Sequence, residues 1–400
     1  MRICFISRRF FPTISGMSVY ALNLLRELVR GGHDVTMISQ YRGDELGIRV
    51  YGGGKPPAVE GVKVIGLEAR GEQSGGNFEA DVAEMAEIAL REHREKPFDI
   101  IHAQYGYPTG LAALEAGKQA GVPCVVSIQG GDGHWVGTCC ATHKAAMLAV
   151  LGHADALLIG SRSFAEEVRQ NHGTPLERFT IVPGAVDVSR FFPGEPHRPL
   201  RVLYHGRVDA RKGVLDLLHA WPQVPAGYRL IISGIGPDTE AVVAKVKELG
   251  LDGSVEQTGY VAYEDVPEVY RRADIFVSPT YAEGFSNTIL EAMASNLPVV
   301  STRAVGVVDC LRDGDNGLLV EPGDVPALAQ ALTRVLTDES LRKRLAAAAL
   351  GEAREIYSWQ NVSRLIVNVY EQLRGKQPDT SWTLDRTRTP CRFRSAPHLL

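Results

Sequence analysis

Short apolar runs rich in β-branched residues alternate with stretches of helical period from the first residues onward. Segments 2–7, 34–39, 62–67, 99–103, 123–128 and 155–159 read as strands. The stretches between them are amphipathic. Residues 18–30 place Val19, Leu22, Leu25 and Leu28-Val29 on one stripe and stop at Gly31-Gly32, directly ahead of the next strand. This is a βαβ unit. A second series, 200–205, 228–233, 254–258, 274–278 and 298–301, repeats the pattern. Strands joined by crossover helices predict two mostly parallel sheets, each covered by helices on both faces.

At 400 residues the chain exceeds what a single hydrophobic core normally supports, in keeping with two domains. Residues 1–185 form the first and 200–356 the second, with the proline- and glycine-rich segment 186–199 as a hinge. Segment 357–374 is expected to carry a helix packing back across the domains, its apolar positions being Val362, Leu365, Ile366, Val369 and Leu373. The remainder, 375–400, has Pro378, Pro390 and Pro397 among Arg386, Arg388, Arg392 and Arg394, and is expected to be disordered.

With 44% hydrophobic and 22% charged residues the composition is that of a soluble globular protein, and a formal charge of −4 gives no global attraction to nucleic acid. The N-terminus MRICFISRRFFP lacks the apolar core of a signal peptide, and no run of apolar residues is long enough to span a bilayer; a cytoplasmic protein is expected. The six cysteines, 4, 124, 139, 140, 310 and 391, contain no Cys-x-x-Cys pair, which argues against a structural zinc. Cys139 and Cys140 adjoin and cannot easily clamp one metal ion.

Three loops carry candidate chemistry. The first, 7–18, leaves a strand and enters a helix at Gly16, a geometry that offers free N–H groups to an anion; the dinucleotide fingerprint G-x-G-x-x-G is absent. In the second, Gly206 ends a strand and Arg207 and Lys212 flank a short loop, a combination suited to a diphosphate and to the charge that develops on it. Arg211 beside them reads equally as a solvated charge. In the third, Glu283 precedes a turn through Gly284, Phe285, Ser286, Asn287 and Thr288 whose N–H groups converge at a helix start, and Glu291 follows more than a turn later. Both glutamates stand at the carboxyl end of a parallel strand, where open α/β sheets bind ligands.

The stretch 260–301, with Glu283 and Glu291 eight residues apart and Asn296-Leu-Pro-Val-Val300 after them, resembles the donor site of family 4 glycosyltransferases of the GT-B fold. Gly206-Arg207 with Lys212-Gly213, Val182-Pro-Gly-Ala-Val-Asp187, Ser233-Gly-Ile-Gly-Pro237, Asp313-Gly-Asp-Asn-Gly317 and Gly16 ahead of its helix fall in that family's order over roughly residues 1–372. The resemblance implies an α/β protein of two doubly wound Rossmann-like domains facing a central cleft. It implies transfer of a sugar from a UDP- or GDP-sugar to a polysaccharide, glycolipid or small-molecule acceptor, with retention of configuration and with neither metal nor cofactor. Arg207 and Lys212 would then hold the diphosphate, Glu283 the transferred sugar and Glu291 the ribose. Gly16 would approach the phosphates, and Tyr260 and Val261 would lie near the base.

Two positions depart from the family pattern. Where many relatives carry a histidine after the strand ending at Ile128, this chain has Gln129, so the acceptor-side contact falls to Gln129, Asp132 or His134; the usual double glycine of the first loop is Gly16-Met17. The Asp313-x-Asp315 pair sits in a glycine turn, a poor setting for a metal. A sugar-nucleotide epimerase of the same architecture and a non-catalytic nucleotide-sugar-binding subunit remain as alternatives. Arg8-Arg9-Phe10-Phe11 leaves open a peripheral contact with the inner membrane face, against the alternative of buried aromatics beside solvated arginines.

Overall fold

The computed structural model describes residues 1–13, 15–45, 47–48, 52–385 and 387–397. Ile14 of the first loop, and Arg386 and residues 398–400 of the tail, lie outside the described residues. The chain divides into two compact units, one made of Met1–Pro183 with Val362–Leu400 and the other of Gly184–Asn361.

In the first unit, β1 (Arg2–Ser7), β2 (Asp34–Tyr41), β3 (Val62–Glu68), β4 (Ile100–Gln104), β5 (Cys124–Ile128), β6 (Ala156–Ile159) and β7 (Phe179–Ile181) form a sheet in the order β3-β2-β1-β4-β5-β6-β7. Every neighbouring pair is parallel, with Ile3 of β1 opposite Val35 on one side and Ile100 on the other. The second unit repeats the plan with β8 (Arg201–His205), β9 (Arg229–Ser233), β10 (Val255–Gly259), β11 (Ile275–Ser278), β12 (Val299–Thr302) and β13 (Leu318–Val320), ordered β10-β9-β8-β11-β12-β13. Its strands feed two cores by simple alternation: Val202 and Tyr204 enter one, Leu203 between them the other. The strand order reverses between β1 and β4 in one unit and between β8 and β11 in the other. At such a switch point the two outgoing loops diverge and leave room for a ligand at the carboxyl ends of the strands.

The strands expected from the apolar runs are present within a residue or two at each end. The two that the pattern does not reveal, β7 and β13, are three-residue edge strands, too short to show a period. The first helix, Gly16–Arg30, begins earlier than expected because Ser15, in extended conformation, accepts a hydrogen bond from the Ser18 N–H at 3.2 Å. Its buried face is Tyr20, Ala21, Leu24, Leu25 and Leu28, so the expected stripe is rotated and Val19, Leu22 and Val29 are only half-buried.

Segment 186–199 packs on the second unit: Val186 bridges Ser358, and Phe191 is buried edge-on against Tyr270. The helix Trp359–Leu373 starts in that unit and continues into the first, burying Val362, Ile366 and Tyr370 while Leu365 of the expected stripe stays exposed. Tyr370 reaches His102 Nδ1 at 2.5 Å, and His102 Nε2 meets Ser127 Oγ at 2.8 Å.

The tail is a correction. Far from being disordered, it lies on the first unit. Trp382 and Phe393 are buried, Lys118 donates to the Trp382 carbonyl at 2.6 Å, and Arg394 forks onto Glu79 at 2.6 and 3.1 Å. Composition misled because two aromatics and one bidentate pair suffice to tie down a segment otherwise rich in proline and charge.

Candidate functional site

In the second unit the loops leaving β8 and β11 meet at the switch point. After β8, Gly206 adopts φ 145° and donates its N–H to the Ser233 carbonyl, and the Tyr204 hydroxyl donates to the Arg207 carbonyl at 2.7 Å. Asp209 caps the tight turn Ala210–Lys212 and is held below the usual carboxylate range: burial works upward, but hydrogen bonds from the Arg211 side chain and backbone N–H, with the charges of Arg211 and Arg207, outweigh it. Arg211 is therefore paired with Asp209 rather than merely solvated. Arg207 Nε lies 3.5 Å from the same carboxylate. Gly213 closes the turn at φ 70°, where a Cβ would stand 1.9 Å from the Pro279 carbonyl oxygen. Only glycine permits this approach, and it presses the Lys212 turn against the exit of β11.

The β11 loop supplies the other half. Lys212 Nζ meets Glu283 Oε1 at 2.8 Å, and the Glu283 N–H donates to the Val305 carbonyl at 3.0 Å. Gly306, at φ 76°, would place a Cβ 2.3 Å from the Glu283 carbonyl oxygen, so a third loop leans on the same turn. Gly284 and Ser286 are buried, and Phe285, Asn287 and Thr288 are half-buried. The helix Asn287–Ala294 starts at Ser286, whose side chain makes no cap hydrogen bond, and its first turn carries no acidic residue. That leaves a first turn with positive potential and N–H groups lacking a side-chain cap.

Glu291 lies inside this helix with 8% of its surface exposed and accepts a hydrogen bond from the Tyr270 hydroxyl at 2.7 Å. Burial pushes its carboxyl up to about 7, against smaller downward pulls from Tyr270 and Arg190. Tyr260 is 56% exposed and Val261 half-buried, so this pair presents one open aromatic face. Tyr270, Asp209 and Gly306 went unremarked in the sequence. Gly306 carried a signal of a kind, as a glycine in the loop just past a strand end; nothing local marks Tyr270. The Asp313-x-Asp315 pair is spent on structure, since Asp313 pairs with Arg303 and accepts from the Leu319 N–H, and Asp315 pairs with Arg312.

In the first unit, Gly16 is exposed at the start of its helix, after the loop leaving β1. Ser7, Gln104 and Gln129, at the ends of β1, β4 and β5, form a chain: Ser7 Oγ donates to Gln104 Oε1 at 2.9 Å, and Gln104 Nε2 contacts Gln129 Oε1 at 2.8 Å and the Met17 carbonyl at 2.9 Å. Gln129 is half-buried. Asp132 is fully buried and accepts from the N–H groups of Gly106, Gln129 and Gly130 at 2.7–3.1 Å, which commits it to shaping the loop rather than meeting a ligand. His134 bonds Glu167 at 2.8 Å and packs against Trp135 and Phe164. Arg8 and Phe10 are also buried, Arg8 against Glu72, so this arginine is not solvated.

Comparison with known proteins decides the class. A family model described as glycosyl transferase 4-like domain matches residues 15–185, and one described as glycosyl transferases group 1 matches residues 199–338, together more than three quarters of the chain. The chain belongs to the family 4 glycosyltransferases. It is 27% identical over 408 residues to the D-inositol 3-phosphate glycosyltransferase of Xylanimonas cellulosilytica, covering 91% of this chain and 93% of that one. It is 25% identical over 401 residues to the glycogen synthase of Mycobacterium tuberculosis, covering 92% and 94%. Among solved structures, sucrose-phosphate synthase from Thermosynechococcus elongatus superposes with a TM-score of 0.78 at 21% identity over 93% of this chain and 98% of that one. The Anabaena protein Alr3699/HepE gives 0.73 at 18% identity over 93% and 100%. The glycosyltransferase thus has the GT-B fold, and it moves a sugar from a nucleotide-sugar donor to an acceptor. No helix among the described residues is long and apolar enough to cross a membrane.

Proposed function

We propose that the second unit of this glycosyltransferase holds a UDP- or GDP-sugar at the β8/β11 switch point and that transfer proceeds with retention, without a metal ion or other cofactor. The observation that supports this reading most is the meeting of Lys212 and Glu283 at 2.8 Å beside a helix start whose cap residue gives no side-chain hydrogen bond to the backbone N–H groups of the first turn. Lys212 and Arg207 receive the diphosphate, and the N–H groups of residues 285–288 add donors to its oxygens. As the bond from the anomeric carbon to phosphate oxygen breaks, negative charge grows on the diphosphate, and two fixed cations stabilise it in the role a divalent ion plays elsewhere. Glu283, held by Lys212, accepts from the sugar hydroxyls and is not free to act as a nucleophile. Glu291 accepts from the ribose, with Tyr260 and Val261 at the base. The new bond to the acceptor then forms on the face the nucleotide leaves. In the first unit Gln129 is the acceptor-side candidate that we carry forward, because Asp132 and His134 are already engaged.

The Anabaena relative has been solved with UDP and with UDP-glucose, which supports a uridine donor as the first choice. A polysaccharide, a lipid-linked sugar or a small molecule is the acceptor class to screen. Nucleotide release is measured over UDP-, GDP- and ADP-sugars with such acceptors, with and without added Mg²⁺ or Mn²⁺, and the product anomer is read by NMR. One donor nucleotide, metal-indifferent rates and a retained anomer are expected, with release abolished in Glu283→Ala. Inversion, or a requirement for added metal, overturns the mechanism; no turnover with any pair overturns the donor site itself.

A further inference from the structure

Outside the donor loops, the fold gathers three thiols and one imidazole in the first unit. Cys139, Cys140, His143 and Cys391 offer one ligand atom each, all within 4.8 Å of one another. Three of them come from the start of the helix Ala141–His153 and the residues just before it, and the fourth comes from the tail, 248 positions from His143. The lack of a Cys-x-x-Cys pair argued against zinc, but the fold brings Cys391 to the other three residues.

We propose that these four residues form a Cys₃His site for a zinc ion that clamps the tail to the first unit. Thiolate sulfur and imidazole nitrogen are the donor set of structural zinc, with bonds of about 2.3 Å to sulfur and about 2.0 Å to nitrogen. A tetrahedron of those bonds has edges of about 3.8 Å between sulfurs, so a modest inward turn of the side chains closes the shell.

Three observations support the assignment. His143 is fully buried, and its Nδ1 faces sulfur, 3.2 Å from Cys139 Sγ and 3.7 Å from Cys391 Sγ. Thiols are weak hydrogen-bonding partners, and a buried imidazole offered nothing better is poorly compensated unless a cation takes its lone pair. Cys140 occupies the N-cap of the helix, where its sulfur accepts from the His143 N–H at 3.4 Å. Cysteine is not a favoured capping residue, but a thiolate suits the positive end of a helix.

The third observation is that the ligand segments are held together independently. Thr142 Oγ1 donates to the Thr387 carbonyl at 2.8 Å, the Thr389 N–H donates to Thr142 Oγ1 at 2.8 Å, and Phe393, two residues past Cys391, is buried. All six cysteines are free, so no disulfide competes for the sulfurs. Binding replaces the thiol protons, which pass to solvent, and leaves three Zn–S bonds and one Zn–N bond.

The test uses the full chain, purified under nitrogen with thiols reduced. Elemental analysis is expected to find one zinc per chain. Replacement by Co²⁺ is expected to give the charge-transfer and intense d–d absorption of a tetrahedral thiolate site. Cys391→Ser is expected to lose the retained metal and to expose the segment after residue 375 to protease, while Cys310→Ser, a buried cysteine of the other unit, retains it. Cys140→Ser serves as a second ligand variant should Cys391→Ser fold poorly. A reduced chain that takes up neither zinc nor cobalt overturns the proposal. So does a disulfide among these cysteines in the anaerobic protein, or a Cys391→Ser chain that binds cobalt as the parent does.

Discussion

Replacing Glu291 by glutamine keeps the shape of the side chain and its acceptor for the Tyr270 hydroxyl while removing one ionisation. Burial lifts that carboxyl from its ordinary 4.5 to about 7. The folded chain therefore holds a proton that the unfolded chain has already lost between these values, and stability falls as pH rises through this window. A displacement of this size corresponds to on the order of 3 kcal/mol between the two limits. Below pH 4.5 both states are protonated and the effect vanishes; above 7 it is fully developed. Other buried groups titrate too, Asp81 among them at about 6, so the informative quantity is the variant-minus-parent difference in unfolding free energy. It is expected to rise by a few kcal/mol in favour of Glu291→Gln between pH 4.5 and 8 in urea titrations.

Affinity for the donor should run the other way. Ribose hydroxyls bond best to an ionised carboxylate, so the parent's affinity for a UDP-sugar, whose diphosphate does not titrate here, should increase from pH 6 to pH 8. The variant's should stay level in calorimetry. A flat stability difference refutes the burial argument, and equal pH slopes in binding refute the ribose assignment.

Lys212→Ala removes the cation nearest the departing diphosphate and strands Glu283, and is expected to lower kcat by about 100-fold or more in nucleotide-release assays, with a smaller change in Tm. Gly306→Ala drives a methyl group into the Glu283 carbonyl at a positive φ, and should cost roughly 1–3 kcal/mol in thermal unfolding together with transfer activity. Phe393→Ala, at the anchor of the tail, is expected to destabilise the first unit by about 3–5 kcal/mol and to open the tail to limited proteolysis; an unchanged Tm would mean that the tail adds nothing to that core.

The architecture was legible because parallel strands buried on both faces write themselves as continuous apolar runs, and β4 and β5 are buried at every position. Lys212 and Glu283 stand in the loops that follow two such runs, β8 and β11, which is why the sequence drew attention to both. What escaped depends on distance in the chain. Tyr270 bonds Glu291 from 21 positions away, and Cys391 reaches His143 across 248. Asp132 illustrates the opposite error, a polar residue in a promising loop that turns out to satisfy its own backbone. Composition read the tail as disordered because it weighs prolines and arginines and cannot see where one tryptophan and one phenylalanine come to rest.

The return of the last helix to the first unit bears on how the protein is made. Residues 184–361 are one uninterrupted stretch, whereas the first unit needs Val362 onward to finish its core. On the ribosome the second unit has all its parts before the first does, and His102, buried away from water, waits for Tyr370, 268 positions further on. A fragment ending at residue 183 would carry an open apolar trough where Ile366 and Tyr370 belong, and would tend to aggregate, while a fragment of 184–361 keeps its core intact.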